Sequence, residues 1–240
     1  MAANIEVCDL SKNYDAIRAV DNISFKAAEG EVIALLGPNG AGKSTLMNMI
    51  AGYLAPSRGN IFIRGRNIRD FPLAVKNDIG FLPEGSPLYP DLTVREFLEY
   101  MAGLRLLDKT AVDEAIKTAK IENVATQKIE TLSKGYQRRV GFAQSILSDP
   151  PILLLDEPTD GLDPNQKHHI RDLIARMGRQ KTIMISTHLL EEAETICNRV
   201  ILISAGRIVA DGTPAQIIAE SGKKNLEEAF RQLTITEDEA

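Results

Sequence analysis

Two rhythms of apolar and polar residues divide the chain. Near its start, Ile5 and Val7 share one face of an extended stretch, and Ile23 and Phe25 share one face of another. Polar turn residues separate them, the pattern of half-buried antiparallel strands. A second strand pair is expected to bracket Gly65 and Arg66. Val32 to Leu36, Ile152 to Leu155, Thr182 to Ser186 and Val200 to Ile203 are instead short, nearly continuous apolar runs. Strands look like this when both faces of a parallel sheet are covered. Between Leu92 and Ser148 the period lengthens. Val94, Phe97, Leu98, Met101 and Leu104 recur every three or four residues behind Thr93 and Glu96, which are spaced as a capping box. Leu92 and Phe97 are placed to staple the same helix end. Helical periodicity continues over 110–119 and 133–147 with no strand signal between. The pattern predicts one α/β domain over 1–240. Its core and N-terminal antiparallel β subdomain cover about 1–87 and 150–215, an inserted α-helical subdomain about 88–149, and a C-terminal extension about 216–240.

Composition narrows the partners. At 240 residues and 44% hydrophobic, the chain can bury one sizeable core with an attached lobe. A net charge of -5 opposes a nucleic-acid partner, and none is expected. Cys8 and Cys197 fit no CxxC or metal-ligand spacing and read as reduced, packing cysteines, which points to a cytosolic compartment. The opening MAANIEVCDL lacks a basic segment followed by an apolar run, and no run approaches the roughly 20 residues of a membrane helix. Neither a signal peptide nor a membrane span is therefore expected. Repeats and low-complexity tracts are absent, and Glu237, Asp238 and Glu239 read as a solvated tail.

The chemistry begins at GPNGAGKST, which comprises Gly37, Pro38, Asn39, Gly40, Ala41, Gly42, Lys43, Ser44 and Thr45. It follows a buried strand and opens a helical pattern through Leu46, Met49 and Ile50, the context a phosphate-binding loop requires. Glycines let the backbone curl so that successive N–H groups face phosphate oxygens at the positive end of the following helix. Lys43 is then expected to reach the β- and γ-phosphates and Ser44 to offer a hydroxyl to magnesium. A buried strand ending at Leu155 carries Asp156 to the carboxyl edge of the sheet, placed to hold magnesium, usually through water. Glu157 follows as the group to polarise an attacking water. Phosphoryl transfer needs mainly positioning and charge neutralisation, which this set supplies.

With these residues the chain resembles the ATP-binding cassette (ABC) family over nearly its whole length, implying a P-loop NTPase, RecA-like core. LSKGYQRR, Leu132 to Arg139, is similar to the family's signature sequence, with Ser133 placed to cap a helix. TDGLDP resembles its D-loop, and STH, ending at His188, its switch histidine. The resemblance implies an ATPase using ATP and Mg2+, paired head to tail with a second copy. Ser133 and Gly135 of one copy would then close over the ATP held on the phosphate loop of the other. It also implies that His188 contacts the γ-phosphate and orients the water beside Glu157, and that Asp163 links the two sites at the interface. Tyr14 resembles the aromatic on which adenine stacks, although an exposed strand-edge tyrosine reads equally well. His168 and His169, on a helix with Ile170, Leu173 and Ile174, read as solvated.

Departures from the pattern are informative. Glu84 stands where most family members carry a magnesium-touching glutamine; a carboxylate can also ligate magnesium, but when ionised it cannot donate a hydrogen bond. Lys134 and Tyr136 replace a glycine and a glutamine of the commonest signature. LPEGSPLYPDLTVREFL, LSKGYQRR and LEEAFRQLT together resemble cassettes of bacterial exporters whose membrane permease is a separate polypeptide. That implies a cytoplasmic subunit peripheral to the membrane through its permease. The competing class is an ABC ATPase of the translation or DNA-repair type, which carries tandem cassettes or long heptad arms. A nucleotide sensor without turnover is opposed by Glu157 and His188 together.

Overall fold

The structure, a computed structural model, describes residues 3–85 and 87–234; the acidic stretch at 237–239 lies outside them. The chain begins with β1 (Ala3–Tyr14), β2 (Ile17–Ala28), β3 (Val32–Leu36) and α1 (Lys43–Ile50). It continues through β4 (Arg58–Ile63), β5 (Arg66–Asn67), α2 (Pro72–Asn77) and β6 (Ile79–Leu82). Three helices follow, α3 (Val94–Leu104), α4 (Lys109–Thr118) and α5 (Lys134–Ile146), before β7 (Ile152–Asp156). Then come α6 (Pro164–Met177), β8 (Thr182–Ser186), α7 (Leu190–Ile196), β9 (Arg199–Ser204), β10 (Arg207–Gly212), α8 (Pro214–Ser221) and α9 (Leu226–Thr234).

Two sheets result. An antiparallel sheet has the order β2-β1-β4-β5, and a larger sheet the order β10-β9-β3-β8-β7-β6, parallel throughout except for β10. The apolar runs are continuous because each parallel strand feeds two cores. Ile33, Leu35, Ile152, Leu154, Met184, Ile201 and Ile203 pack toward α1 and the antiparallel sheet. Val32, Ala34, Leu36, Leu153, Leu155, Ile183, Ile185 and Leu202 pack toward the helices α3 to α6. Side chains two apart share a face, so a one-residue slip would exchange the two cores. Each fully buried Leu or Ile contributes roughly 1.5–3 kcal/mol.

α3 to α5 stand between β6 and β7 as a helical lobe, and α3 starts as its sequence predicts. The Glu96 backbone N–H donates to Thr93 Oγ1 at 3.2 Å, while the Thr93 N–H donates to Glu96 Oε2 at 2.8 Å. Leu92 and Phe97 lie in the same apolar cluster.

Some readings of the sequence change. The second hairpin turns at Arg64 and Gly65, with φ of 49° and 77°, so Arg66 already pairs with Ile63. Two successive positive φ values make a two-residue turn that matches strand twist, which displaces the bracket by one residue. Cys8 is half-buried on the polar side of β1, its Sγ 3.9 Å from Glu6 Oε1, and only Cys197 is a buried packing cysteine; both are free. The short β6 and the edge strand β10, with no fully buried residue, carry too little periodicity to be read from sequence. Among the described residues no helix is long and apolar enough to cross a membrane.

Thr93→Ala removes the hydroxyl that accepts the Glu96 N–H while the backbone N–H of residue 93 keeps its bond to Glu96, and we expect a loss of about 1 kcal/mol in a denaturant titration with the secondary structure retained. An unchanged midpoint would show that the cap is not what starts α3.

Candidate functional site

Parallel pairing puts the carboxyl ends of neighbouring strands at one edge. Leu35 is in register with Ser186, Asp156 with Ser186, and Leu82 with Leu155. The loops leaving β3, β6, β7 and β8 therefore open side by side. They carry the phosphate loop, Glu84, Asp156–Glu157 and His188 respectively, and a cleft of about 620 Å³ is lined by Asn39, Glu84, Arg138, Glu157 and His188 among others.

The phosphate loop is shaped by its neighbours. Gly42 sits at φ 104° as the N-cap of α1, and a Cβ there would overlap the Ala19 carbonyl on β2; at Gly37 a Cβ would overlap the Ile203 carbonyl on β9. Only glycine tolerates both the left-handed backbone at Gly42 and such close approach. No side chain caps α1, which leaves its leading N–H groups facing the loop. Pro38, Asn39 and Gly40 are exposed at the mouth, Ala41 is buried, and Ser44 and Thr45 are half-buried. Lys43 is 8% exposed and folds back, its Nζ donating to Gly37 O at 2.7 Å and Pro38 O at 3.1 Å. Burial pulls its pKa down, opposed by the charges of Glu157, Asp156 and Glu84. An ammonium parked on the loop's own carbonyls is held ready for an anion.

Asp156, 2% exposed, ends β7 with Oδ1 lacking any hydrogen-bond partner. A buried carboxylate oxygen without a donor fits a cation ligand. Mg2+ typically takes only one or two carboxylates plus phosphate oxygens, so the half-buried Ser44 hydroxyl and Asp156 are a chemically adequate protein share. Glu84 is exposed on the cleft wall.

Glu157 adopts φ 51°, unusual for a residue with a side chain. Its N–H donates to Ser186 O at 2.8 Å, and its Oε1 lies 2.9 Å from Nδ1 of the exposed His188. Burial raises its pKa above the usual carboxylate range, the hydrogen bond from His188 pulling the other way.

Two residues that the sequence reading left without a role hold this arrangement together. Glu192, on α7 and fully buried, accepts hydrogen bonds from Thr159 Oγ1 and, at 2.9 Å, from Thr187 Oγ1, with Arg171 Nε at 3.6 Å. It ties the segment after Glu157 to the residue before His188 from beneath. Arg138 donates to Pro83 O at 2.8 Å and to the carbonyls of Asp156 and Glu157. Charged residues inside otherwise apolar helical periods were the available signal; apart from Thr187, five residues from Glu192, their partners are 18 or more residues away in sequence.

The remaining candidates stand apart from the cleft. Ser133 is exposed at the start of α5, where its hydroxyl accepts from the Tyr136 N–H at 3.4 Å, and Gly135 is buried against Gly161 and Gln166. Asp163 caps α6, accepting from the Gln166 N–H at 3.0 Å. Tyr14, 45% exposed at the tip of the β1–β2 hairpin, has the Lys12 ammonium over its ring. His168 is exposed as expected, but His169 is not solvated. Half-buried between α6 and the end of α4, its Nε2 lies 3.2 Å from Thr118 O, and burial lowers its pKa. The helical period placed it correctly on α6, but nothing local announces the lobe packed against it.

Comparison with known proteins agrees with this geometry. A family profile described as ABC transporter matches residues 20–160. Nod factor export ATP-binding protein I of Paraburkholderia xenovorans is 38% identical over 222 residues, covering 90% of this chain and 73% of the relative. A solved ATP-binding subunit of an ABC transporter superposes with a TM-score of 0.88 at 31% identity, covering 95% of this chain and 98% of its own. The dimeric, post-hydrolysis structure of the cassette MJ0796 bound to ADP and Pi superposes at 0.81 with 27% identity, covering 87% and 98%.

Glu192→Ala strands two buried hydroxyls, and we expect a loss of about 2–4 kcal/mol of stability in denaturant unfolding. A change under about 0.5 kcal/mol, the scale of an ordinary surface substitution, would remove Glu192 from the scaffold of the site.

Proposed function

The chain belongs to the ABC transporter family as an ATP-binding, ATP-hydrolysing subunit that serves a separate membrane subunit, and from that premise we propose which residues do the work and that the transport it drives is export. The reading rests chiefly on one observation. The buried ammonium of Lys43 and the Glu157–His188 pair, 2.9 Å apart, belong to adjacent loops at one sheet edge.

ATP entering the cleft gives Lys43 a better partner than the carbonyls of Gly37 and Pro38. The ammonium turns to the β- and γ-phosphates, and the N–H groups of the loop and of the first turn of α1 close around them. Ser44 and Asp156 would hold magnesium, with Glu84 alongside; when bound, the ion neutralises charge on the phosphate oxygens. Glu157 accepts the proton of a water in line with the γ-phosphorus as the bond to ADP breaks, and His188 holds that water and the γ-phosphate in place. The ionised Glu157 is the competent form, so its raised pKa gives it the basicity the step uses.

Cassettes of this family work as dimers. We assign Ser133 and Gly135 to the ATP held by the second copy. The exposed Ser133 at a helix start is suited to a phosphate approaching from outside its own chain. Tyr14 is assigned to adenine because β2 of its hairpin runs against Gly42. Residues 88–149 act as the lobe that meets the permease. Tyr89 and Tyr100, stacked edge to face at 5.7 Å, are exposed there with Leu104 and Leu106, an apolar set that needs a partner. The permease in turn keeps the chain at the cytoplasmic face of the membrane. Export is favoured by the 38% identical relative, a Nod factor export ATP-binding protein.

Lys43→Ala removes charge-assisted bonds of roughly 1.5–3 kcal/mol each, so ATP binding is expected to weaken by about 100-fold or more in calorimetry. Glu157→Gln is expected to bind ATP but stay paired with a second copy in size-exclusion chromatography; a variant monomeric in saturating MgATP would count against the assignment. Because Glu157 must be ionised and its pKa is raised in the free protein, the acid limb of kcat/KM for MgATP, which reports the free enzyme, is expected above the ordinary glutamate value of about 4.3. A limb at or below that value would exclude Glu157 as the proton acceptor.

A further inference from the structure

α5 has two ends of business on one rigid rod. Its N-cap, Ser133, is exposed and assigned above to the partner copy's ATP, while Arg138, five residues on and about 7.5 Å along the axis, is buried in its own chain. The Arg138 guanidinium reaches three carbonyls. Nη1 donates to Pro83 O at 2.8 Å, directly before Glu84, Nη2 donates to Asp156 O, and Nε and Nη2 donate to Glu157 O at 3.2 and 2.9 Å. Glu157 is therefore held on both sides of its Cα, its N–H by Ser186 O at 2.8 Å and its carbonyl by Arg138. With φ at 51°, its backbone rests in a sparsely populated conformation that persists only where surroundings impose it. The two pinned peptides set the direction in which the carboxylate leaves the chain.

We propose that Arg138 is a positioning residue for Glu157 of its own copy, so that one helix reads the γ-phosphate in the partner's site through Ser133 and sets the water-polarising carboxylate in its own. The guanidinium suits the task because its planar fork can span several acceptors, which a lysine ammonium or a shorter amide cannot. Burial depresses its pKa while Asp156, Asp160, Glu157 and Glu84 hold it up, so the charge is retained among carboxylates. Arg138 touches neither nucleotide nor water in this role.

The proposal rests on the paired-cassette reading, and the test separates the two. A trace of one copy, the reporter, is mixed with a large excess of E157Q copy in MgATP, so that hydrolysis comes from the reporter's own phosphate loop and Glu157. The reporter's ATP then faces Ser133 of the excess copy. With R138Q in the reporter, kcat is expected to fall about tenfold with KM for ATP within about twofold, since a displaced carboxylate loses alignment rather than affinity. With R138Q placed instead in the excess copy beside E157Q, reporter turnover is expected to stay unchanged. An equal loss in both arrangements would make Arg138 a support of α5 alone and overturn the proposal, as would no loss in either. The milder R138K guards against a folding defect, with an intermediate loss expected in the first arrangement only. If the E157Q copy remains monomeric in ATP, the paired-cassette reading falls, and the proposal with it.

Discussion

In-register parallel pairing of β3, β8 and β7 is the constraint from which the site follows. Each strand contributes only a short stretch after its last sheet bond, yet the pairing of Leu35 with Ser186 and of Asp156 with Ser186 sets those stretches side by side. The pairing is enforced by burial on both faces, because alternate side chains feed two separate cores. A shifted register would send the side chains of every strand into the wrong core, so precision at the cleft comes from apolar packing well away from it.

Charges in and around the cleft are held by hydrogen bonds to main-chain carbonyls or to buried hydroxyls. Lys43 leans on Gly37 and Pro38, Arg138 on Pro83, Asp156 and Glu157, and Glu192 on two threonine hydroxyls. Oδ1 of Asp156 is the exception, a buried acceptor with nothing donated to it. The polar groups of the cleft are thus nearly self-satisfied. Preorganised groups of this kind need little rearrangement when charge develops.

Core and lobe share one apolar cluster, and polar ties add to it: Arg138 from α5, and His169 of α6 against the carbonyl of Thr118 at the end of α4. Glu84 sits on the connection itself, one residue beyond the carbonyl that Arg138 holds.

By itself, the sequence determined what repeats or signals locally. The buried strands are continuous apolar runs, α3 begins at a capping box, and the glycines of 37–42 with Lys43 and Ser44 mark the phosphate loop, because each is written in adjacent residues. The strand ending at Leu155 likewise announced Asp156 and Glu157, and the family resemblance extended this to Ser133 and His188 through the order of their segments. Only the tertiary structure decided that Glu192 clasps Thr159 to Thr187, that Arg138 pins the peptide of Glu157, and that His169 is covered by a neighbouring lobe. Apart from Thr187, their partners lie far along the chain, and a charged side chain looks the same in sequence whether its hydrogen-bond partner is water or a buried group. The short β6 and the edge strand β10 were hidden for a related reason, since pairing with a neighbour, rather than any pattern of their own, makes them strands.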